Sequence, residues 1–313
     1  DIYFLMRNFP EGILKVGQEG YSVVTLPLAP SMSDYRQCFQ QIKPDVLVID
    51  TLGSTDEIIS TAREDSACII TLDDLSQSAH KADIIINGIL WATQWLPKKQ
   101  GIANIYQGIE YLQLREQFAD ANRVHREISP NISEILISTG GADGREFTPK
   151  LIDAVARLSF EHFLKVNVIV GPAFKNKASI EQSIKLTAGK SRFNFIENTQ
   201  EMARLLLQSD LALVTGGTVM FESVACGTPS IVTCSYEHQI PQAVWFANQG
   251  AIKNLGYFPS SINVARVIEE ITKLQSDPES RYQMCVRGKA IVDAKGIYRV
   301  VDIINKQLYA RTN

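Results

Sequence analysis

The stretch Val214-Thr215-Gly216-Gly217-Thr218-Val219-Met220-Phe221-Glu222 carries the strongest chemical signal in the sequence. An apolar strand runs into two glycines, and a hydroxyl residue then opens a helix. Glycines let the backbone approach a ligand closely, and a helix N-terminus offers free N–H groups and partial positive charge. Together they form a cradle for phosphate. Glu222 lies one turn deeper than Thr218 on the same helix face, where a carboxylate can accept two hydrogen bonds from a ribose diol. The same residues also suit a plain tight turn with Thr218 as N-cap and Glu222 solvated. Pattern alone leaves both open.

A second glycine turn, Gly140-Gly141-Ala142-Asp143-Gly144, follows another strand. In a doubly wound sheet both turns fall at strand carboxyl ends and so face one crevice. Asp143 is either a ligand to that crevice or a helix cap. His238, in Tyr236-Glu237-His238-Gln239 after the strand Ser230–Cys234, reaches the crevice rim. Asp73-Asp74 ends a strand as a sugar-binding pair or as a turn cap. His238 and Asp73 are the catalytic candidates, with no assignment between them. His125 and His162 sit at charged helix ends, and His80 in a polar loop. No ligand spacing for a metal occurs and no G-x-S-x-G, so neither a cofactor nor a metal is expected.

The elements that position these residues alternate. Ile2–Met6, Tyr21–Leu26, Asp45–Asp50, Ala67–Leu72 and Asp83–Asn87 read as strands, nearly continuous in apolar character, as in parallel sheets covered on both faces. Ser31–Ile42 and Ser54–Glu64 suit helices, the latter with Ser54 and Glu57 as a capping box. After Tyr106 the pattern loosens. Arg115–Arg126 reads as a charged helix before the turn-rich Ile128-Ser-Pro-Asn131. Alternation then restarts with strands Glu134–Thr139, Leu164–Val170, Phe193–Ile196, Leu211–Thr215 and Ser230–Cys234, a helix over Phe147–Leu158, and a helical tail from about Ser260. The expected architecture is α/β, with two Rossmann-like doubly wound domains of GT-B type, 1–128 and 129–313, and the active cleft between them.

Bulk properties narrow the class. The 313 residues suit two domains, and a net charge of −3 gives no basic stripe for nucleic acid. Five scattered cysteines without C-x-x-C read as free thiols of a reducing, cytoplasmic compartment. No apolar run is long enough to span a bilayer.

The sequence resembles the UDP-sugar hydrolases of pseudaminic acid biosynthesis and the related spore-coat polysaccharide glycosyltransferase-like proteins. It is more distantly similar to the N-acetylglucosaminyl transferase that makes lipid II. The motifs are Gly20-Tyr21 through Leu26-Pro27, Leu72-Asp73-Asp74 with His80, Ala82-Asp83 and Asn87, Tyr111-x-x-Leu114-Arg115-x-x-Phe118, Gly140-Gly141-x-Asp143, and Ser209-Asp210 through Gly216-Gly217-Thr218, Glu222, Gly227-x-Pro229 and Gln239.

The resemblance implies that Gly216, Gly217 and Thr218 hold a diphosphate, with Gly140 and Gly141 lining it. It implies further that Glu222 binds the ribose, the backbone near Ile196 reads the uracil, and His238 and Gln239 contact the sugar. The second domain is then the nucleotide-binding one and the first the sugar or acceptor side. Two departures stand out. The family's first βα unit, with its catalytic histidine, has no counterpart here, and Asp50-Thr51-Leu52 replaces the family's Asp-His-Tyr. A sheet without that strand favours pairing with another chain, either a homo-oligomer or a partner subunit. The expected activity is hydrolysis of a UDP-sugar with release of UDP. The alternatives are a glycosyltransferase using the same donor, or a catalytically weak nucleotide-sugar-binding protein.

Overall fold

The computed structural model describes residues 1–51, 53–66, 68–74, 76–89, 104–159, 163–187 and 191–312. Packing divides the chain into two units, Asp1–Leu112 with Gly296–Asn313, and Gln113–Lys295.

The first unit holds two parallel sheets. Among the described residues β1 (Tyr3–Arg7) pairs only with β2 (Ser22–Leu26), and a four-stranded sheet has the order β3 (Val46–Asp50), β4 (Cys68–Leu72), β5 (Ile84–Asn87), β6 (Ile105–Gln107). β4 and β5 are buried along their whole length. Their alternate residues point to opposite faces. On one face Cys68, Ile70, Leu72, Ile84 and Ile86 meet Val300 and Ile303 of the helix Gly296–Thr312. On the other, Ile49 and Ile69 meet Phe39, Ile59 and Ala62 of the helices Met32–Ile42 and Asp56–Asp65. Leu5 of β1 packs at the margin of that second cluster.

The second unit is a six-stranded parallel sheet in the order β12 (Lys253–Tyr257), β11 (Ser230–Cys234), β10 (Leu211–Thr215), β7 (Glu134–Ser138), β8 (Leu164–Val170), β9 (Ser191–Glu197). Ile135, Ile137, Val166, Val168, Leu211 and Leu213 form its core with Leu151 and Val155 from the helix Phe147–Ala156 and Val267 and Ile271 from the helix Val264–Gln275.

Strand–helix alternation and parallel pairing are as the sequence implies, and the fold is α/β with two Rossmann-like units. Several details differ. The division at 112/113 falls earlier than the expected 128/129, because the helix Glu116–Arg123 buries Phe118, Ala119 and Ala121 within the second unit. The last helix belongs to the first unit, because Val300 and Ile303 cover its sheet. The helix Asp56–Asp65 is capped by Thr55, whose hydroxyl accepts from Ile58 N–H at 3.2 Å, and not by Ser54. Ser54 instead donates to Asp74 through its hydroxyl and its backbone N–H. A capping box lies instead at Ser31 and Asp34. β6 and β12 escape an apolar-run criterion, since β6 has three residues and β12 buries only Leu255. Among the described residues, no helix is long and apolar enough to cross a membrane.

Candidate functional site

Within the second unit, the loops after β7, β8, β9 and β10 surround a cleft of about 230 Å³ at the carboxyl edge of the sheet. Gly140 and Gly141 enter from the first loop, Gly171 and Pro172 from the second, Asn198 and Thr199 from the third, and Thr218 and Glu222 from the fourth. Gly140 adopts φ +94°, a conformation that L side chains rarely take. Gly171 is required by close approach, since a Cβ there would lie 2.5 Å from the Gly141 carbonyl oxygen. Gly140 and Gly141 of one sequence-identified turn and Thr218 of the other therefore share one cleft, while Gly216 and Gly217 themselves do not line it.

Gly217, not Thr218, is the N-cap of the helix Thr218–Ala225, and it supplies no side-chain cap. Thr218 is the first helical residue and is exposed in the cleft. A helix start without a side-chain acceptor presents its first N–H groups outward. Gly216 lies against Gln239, where an added Cβ would stand 3.0 Å from the Gln239 Cβ. Gln242 donates to the Gly216 carbonyl and fixes the turn from behind.

Glu222 is buried, not solvated, and Arg115 Nη2 donates to its Oε1 at 3.2 Å. Burial pushes the Glu222 carboxyl up from its ordinary range, and the Arg115 charge opposes this. Arg115 is half-exposed, lines the cleft and lies over the Phe118 ring at 5.3 Å. The cleft thus holds a helix N-terminus, glycine backbone, a half-exposed cation and a buried carboxylate. Such a set takes an anion beside a hydroxyl-bearing group.

Other expected site residues fall differently. Ile196 lies within β9 and does not line the cleft, whereas Asn198 and Thr199 just beyond it do. Asp143 is a cap, with its carboxylate accepting from Phe147 N–H at 2.8 Å and Thr148 N–H at 2.9 Å. Gln239 is buried, and its Oε1 accepts from Ser235 N–H at 2.8 Å and Ser235 Oγ–H at 3.2 Å. His238 is exposed and stacks on Tyr236 at 5.7 Å, with the Arg145 guanidinium also 5.7 Å from the Tyr236 ring. Partial burial lowers the His238 pKa, favouring neutral imidazole. Neither His238 nor Gln239 lines the cleft. Arg115, Asn198 and Thr199 were not singled out as site residues from sequence. Arg115 does stand in a family motif, while the other two carry no sequence signal beyond following a strand.

Asp73 belongs to the first unit. It directly follows β4 with φ +49°, and its Oδ1 accepts from Gly88 N–H at 2.7 Å. Burial, with the neighbouring Asp50 charge, pushes its carboxyl up to about 6. Asp74 is buried and tied to Ser54 and to Ser76 N–H, so the pair divides into one loop-building and one available carboxylate. Among the described residues, no group of three or more His, Cys, Asp or Glu side chains is arranged to hold a metal ion.

Residues 134–296 match the family model "Glycosyltransferase family 28 C-terminal domain". The chain is 28% identical over 280 residues to the Spore coat polysaccharide biosynthesis protein SpsG of Bacillus subtilis, covering 88% of this chain and 81% of that protein. It is 27% identical over 245 residues to the uncharacterized protein MJ1062 of Methanocaldococcus jannaschii, covering 76% of this chain and 50% of that one. Among solved structures it is similar to Acinetobacter baumannii MurG, with TM-score 0.63, 14% identity and coverage of 98% and 100%. It is also similar to Staphylococcus aureus MnaA in a co-structure with UDP, with TM-score 0.64, 16% identity and coverage of 100% and 98%. These structural likenesses establish the GT-B type of fold. The matches do not extend to the hydrolytic and pseudaminic acid parts of the expectation.

Proposed function

Because the chain belongs to the glycosyltransferase family 28 C-terminal domain family, we propose that it uses a UDP-sugar donor and transfers the glycosyl group to a hydroxyl of a growing polysaccharide, releasing UDP. The observation that carries this reading is the cleft in the second unit, where glycine backbone, a helix N-terminus and the half-exposed Arg115 paired with the buried Glu222 converge. The diphosphate would lie against the Gly216–Thr218 turn and the Gly140–Gly141 turn. Backbone N–H groups pointing at the departing oxygens stabilise charge as it develops, because they need no reorganisation. Arg115 adds a cation on the same wall. Glu222, with one oxygen on Arg115, retains acceptor capacity for ribose hydroxyls. The similarity to the spore coat protein supports a polysaccharide setting. Hydrolysis is the same chemistry with water as acceptor.

The test has two stages. Calorimetry on the full chain is expected to show UDP binding that weakens in Arg115→Ala and Glu222→Ala. UDP release is then measured over a UDP-sugar panel with and without oligosaccharide acceptors. Release that requires acceptor establishes transfer, acceptor-independent release establishes hydrolysis, and absence of UDP binding overturns the reading.

A further inference from the structure

The helix Glu116–Arg123 lies within the second unit and is tied to both walls of the cleft. On one wall its two ends are anchored to the helix Thr218–Ala225. Arg115, its N-cap, pairs with Glu222. Near the other end, Asn122 Nδ2 donates to the Ala225 carbonyl at 3.0 Å, and to the Lys289 and Val292 carbonyls at 3.2 and 2.9 Å. The helix is therefore fixed relative to the turn that opens at Thr218. Toward the other wall it extends Gln117. The Gln117 Nε2 donates to the Gln200 carbonyl at 3.1 Å, and its Oε1 accepts from Ala203 N–H at 3.2 Å. Gln117 stands between Arg115 and Phe118 in the Tyr111-x-x-Leu114-Arg115-x-x-Phe118 motif, at a position the motif leaves open.

Gln200 and Ala203 flank the start of the helix Met202–Gln208. The Ala203 N–H belongs to its first turn, where the N-cap side chain ordinarily accepts. The N-cap here, Glu201, makes no such bond, because its carboxylate is paired with Arg204. Gln117 supplies the acceptor from another helix. The segment it holds lines the cleft through Asn198, Thr199 and Met202. Asn198 stands at φ +47° with its N–H donating to the Val170 carbonyl at 3.0 Å, and Thr199 Oγ1 accepts from Glu201 N–H at 3.0 Å. Those bonds shape the turn and join it to β8. The two from Gln117 set its distance from the helix Thr218–Ala225. Gln117 itself does not line the cleft.

We propose that Gln117 is a positioning residue that sets the nucleobase preference of the cleft by holding the 198–202 turn opposite Thr218 and Glu222. The inference rests on the nucleotide reading of the cleft and deepens it. With the diphosphate against the glycine turns and Thr218, and the ribose at Glu222, the wall left for the base is formed by Ile169, Pro172, Asn198 and Thr199. An apolar strip beside polar groups suits a planar ring read at its edge. Hydrogen bonds tolerate only about 0.5 Å of variation in length. A small displacement of this wall therefore costs discrimination between bases, while the phosphate contacts on the opposite wall stay in place.

The experiment uses the full chain and two variants. Gln117→Met keeps the length and bulk of the side chain and removes both hydrogen bonds. Gln117→Glu keeps the acceptor for Ala203 N–H and removes the donor to Gln200. Affinities for UDP and ADP are measured by calorimetry, with ADP displacing bound UDP where direct heats are small. The parent chain is expected to prefer UDP. Gln117→Met is expected to weaken UDP binding about tenfold, the scale of a hydrogen bond's net contribution. Its ADP affinity is expected to stay unchanged, so the preference falls by the same factor, and Gln117→Glu is expected to fall between variant and parent. A purely structural role would weaken both nucleotides in parallel, and an unchanged preference in Gln117→Met overturns the proposal, as does an unchanged UDP affinity. A parent that binds UDP and ADP equally overturns this proposal and leaves the nucleotide reading standing. A parent that binds no UDP overturns both.

Discussion

Replacing Asp73 by Asn is expected to stabilise the first unit at neutral pH and to leave it nearly unchanged in acid. Asparagine tolerates the +49° φ of this position, and its Oδ1 still accepts from Gly88 N–H. What changes is the charge. Burial is the main cause that lifts the carboxyl from 3.8 to about 6, Gly88 N–H opposes it and the Asp50 charge adds to it. The folded state therefore holds this proton more tightly than the unfolded chain. Stability falls as pH rises from about 4 to about 6, and the deficit is complete above that. Two pKa units at ~1.4 kcal/mol each give about 3 kcal/mol. Asp73→Asn is expected to recover about that much at pH 7.5 and less than ~1 kcal/mol at pH 4. Native-state hydrogen exchange of the β4 and β5 amides measures the effect locally. A variant no more stable than the parent at pH 7.5, or equally stabilised at both pH values, would refute the reasoning.

Glu222→Ala is expected to weaken UDP binding by about 1.5–3 kcal/mol and to abolish any preference over 2′-deoxy-UDP, both read by calorimetry. Unchanged discrimination would leave Glu222 as a partner of Arg115 only. A fragment of residues 113–295 is expected to fold and bind UDP alone. One starting at residue 129 loses fully buried Phe118, at a cost of about 3–5 kcal/mol visible in its melting curve. Gly171→Ala places a Cβ against the Gly141 carbonyl and is expected to reduce both stability, by about 1–3 kcal/mol, and UDP affinity.

Much of this was legible in the sequence where one physical requirement fixes the residue type. Runs such as Ile84-Ile85-Ile86 need cover on both faces and read directly as inner parallel strands. Gly140 and Gly216 announce a positive φ and a close approach. The cap at Thr55 was not legible, because Ser54 suits the cap equally well and only the buried Asp74 across the fold claims it. The Arg115–Glu222 pair spans 107 residues, and no local pattern encodes such a partnership. Asn198 and Thr199 line the cleft through where β9 stops, a property of sheet register and not of their side chains.

The separation of β1 and β2 from the four-stranded sheet bears on how the first unit comes apart. β1 has no fully buried residue, and Phe4 and Val48 remain 38% exposed although both lie in apolar strands. With hydrogen bonds to a single neighbour each, β1 and β2 contribute little to the cooperative centre built on β4 and β5. They are expected to form a separate exchange unit. Amides from Tyr3 to Leu26 are expected to open by sub-global fluctuation while β4 stays protected. Limited proteolysis would then make its first cuts there, releasing the β1–β2 layer from a body that still holds its core.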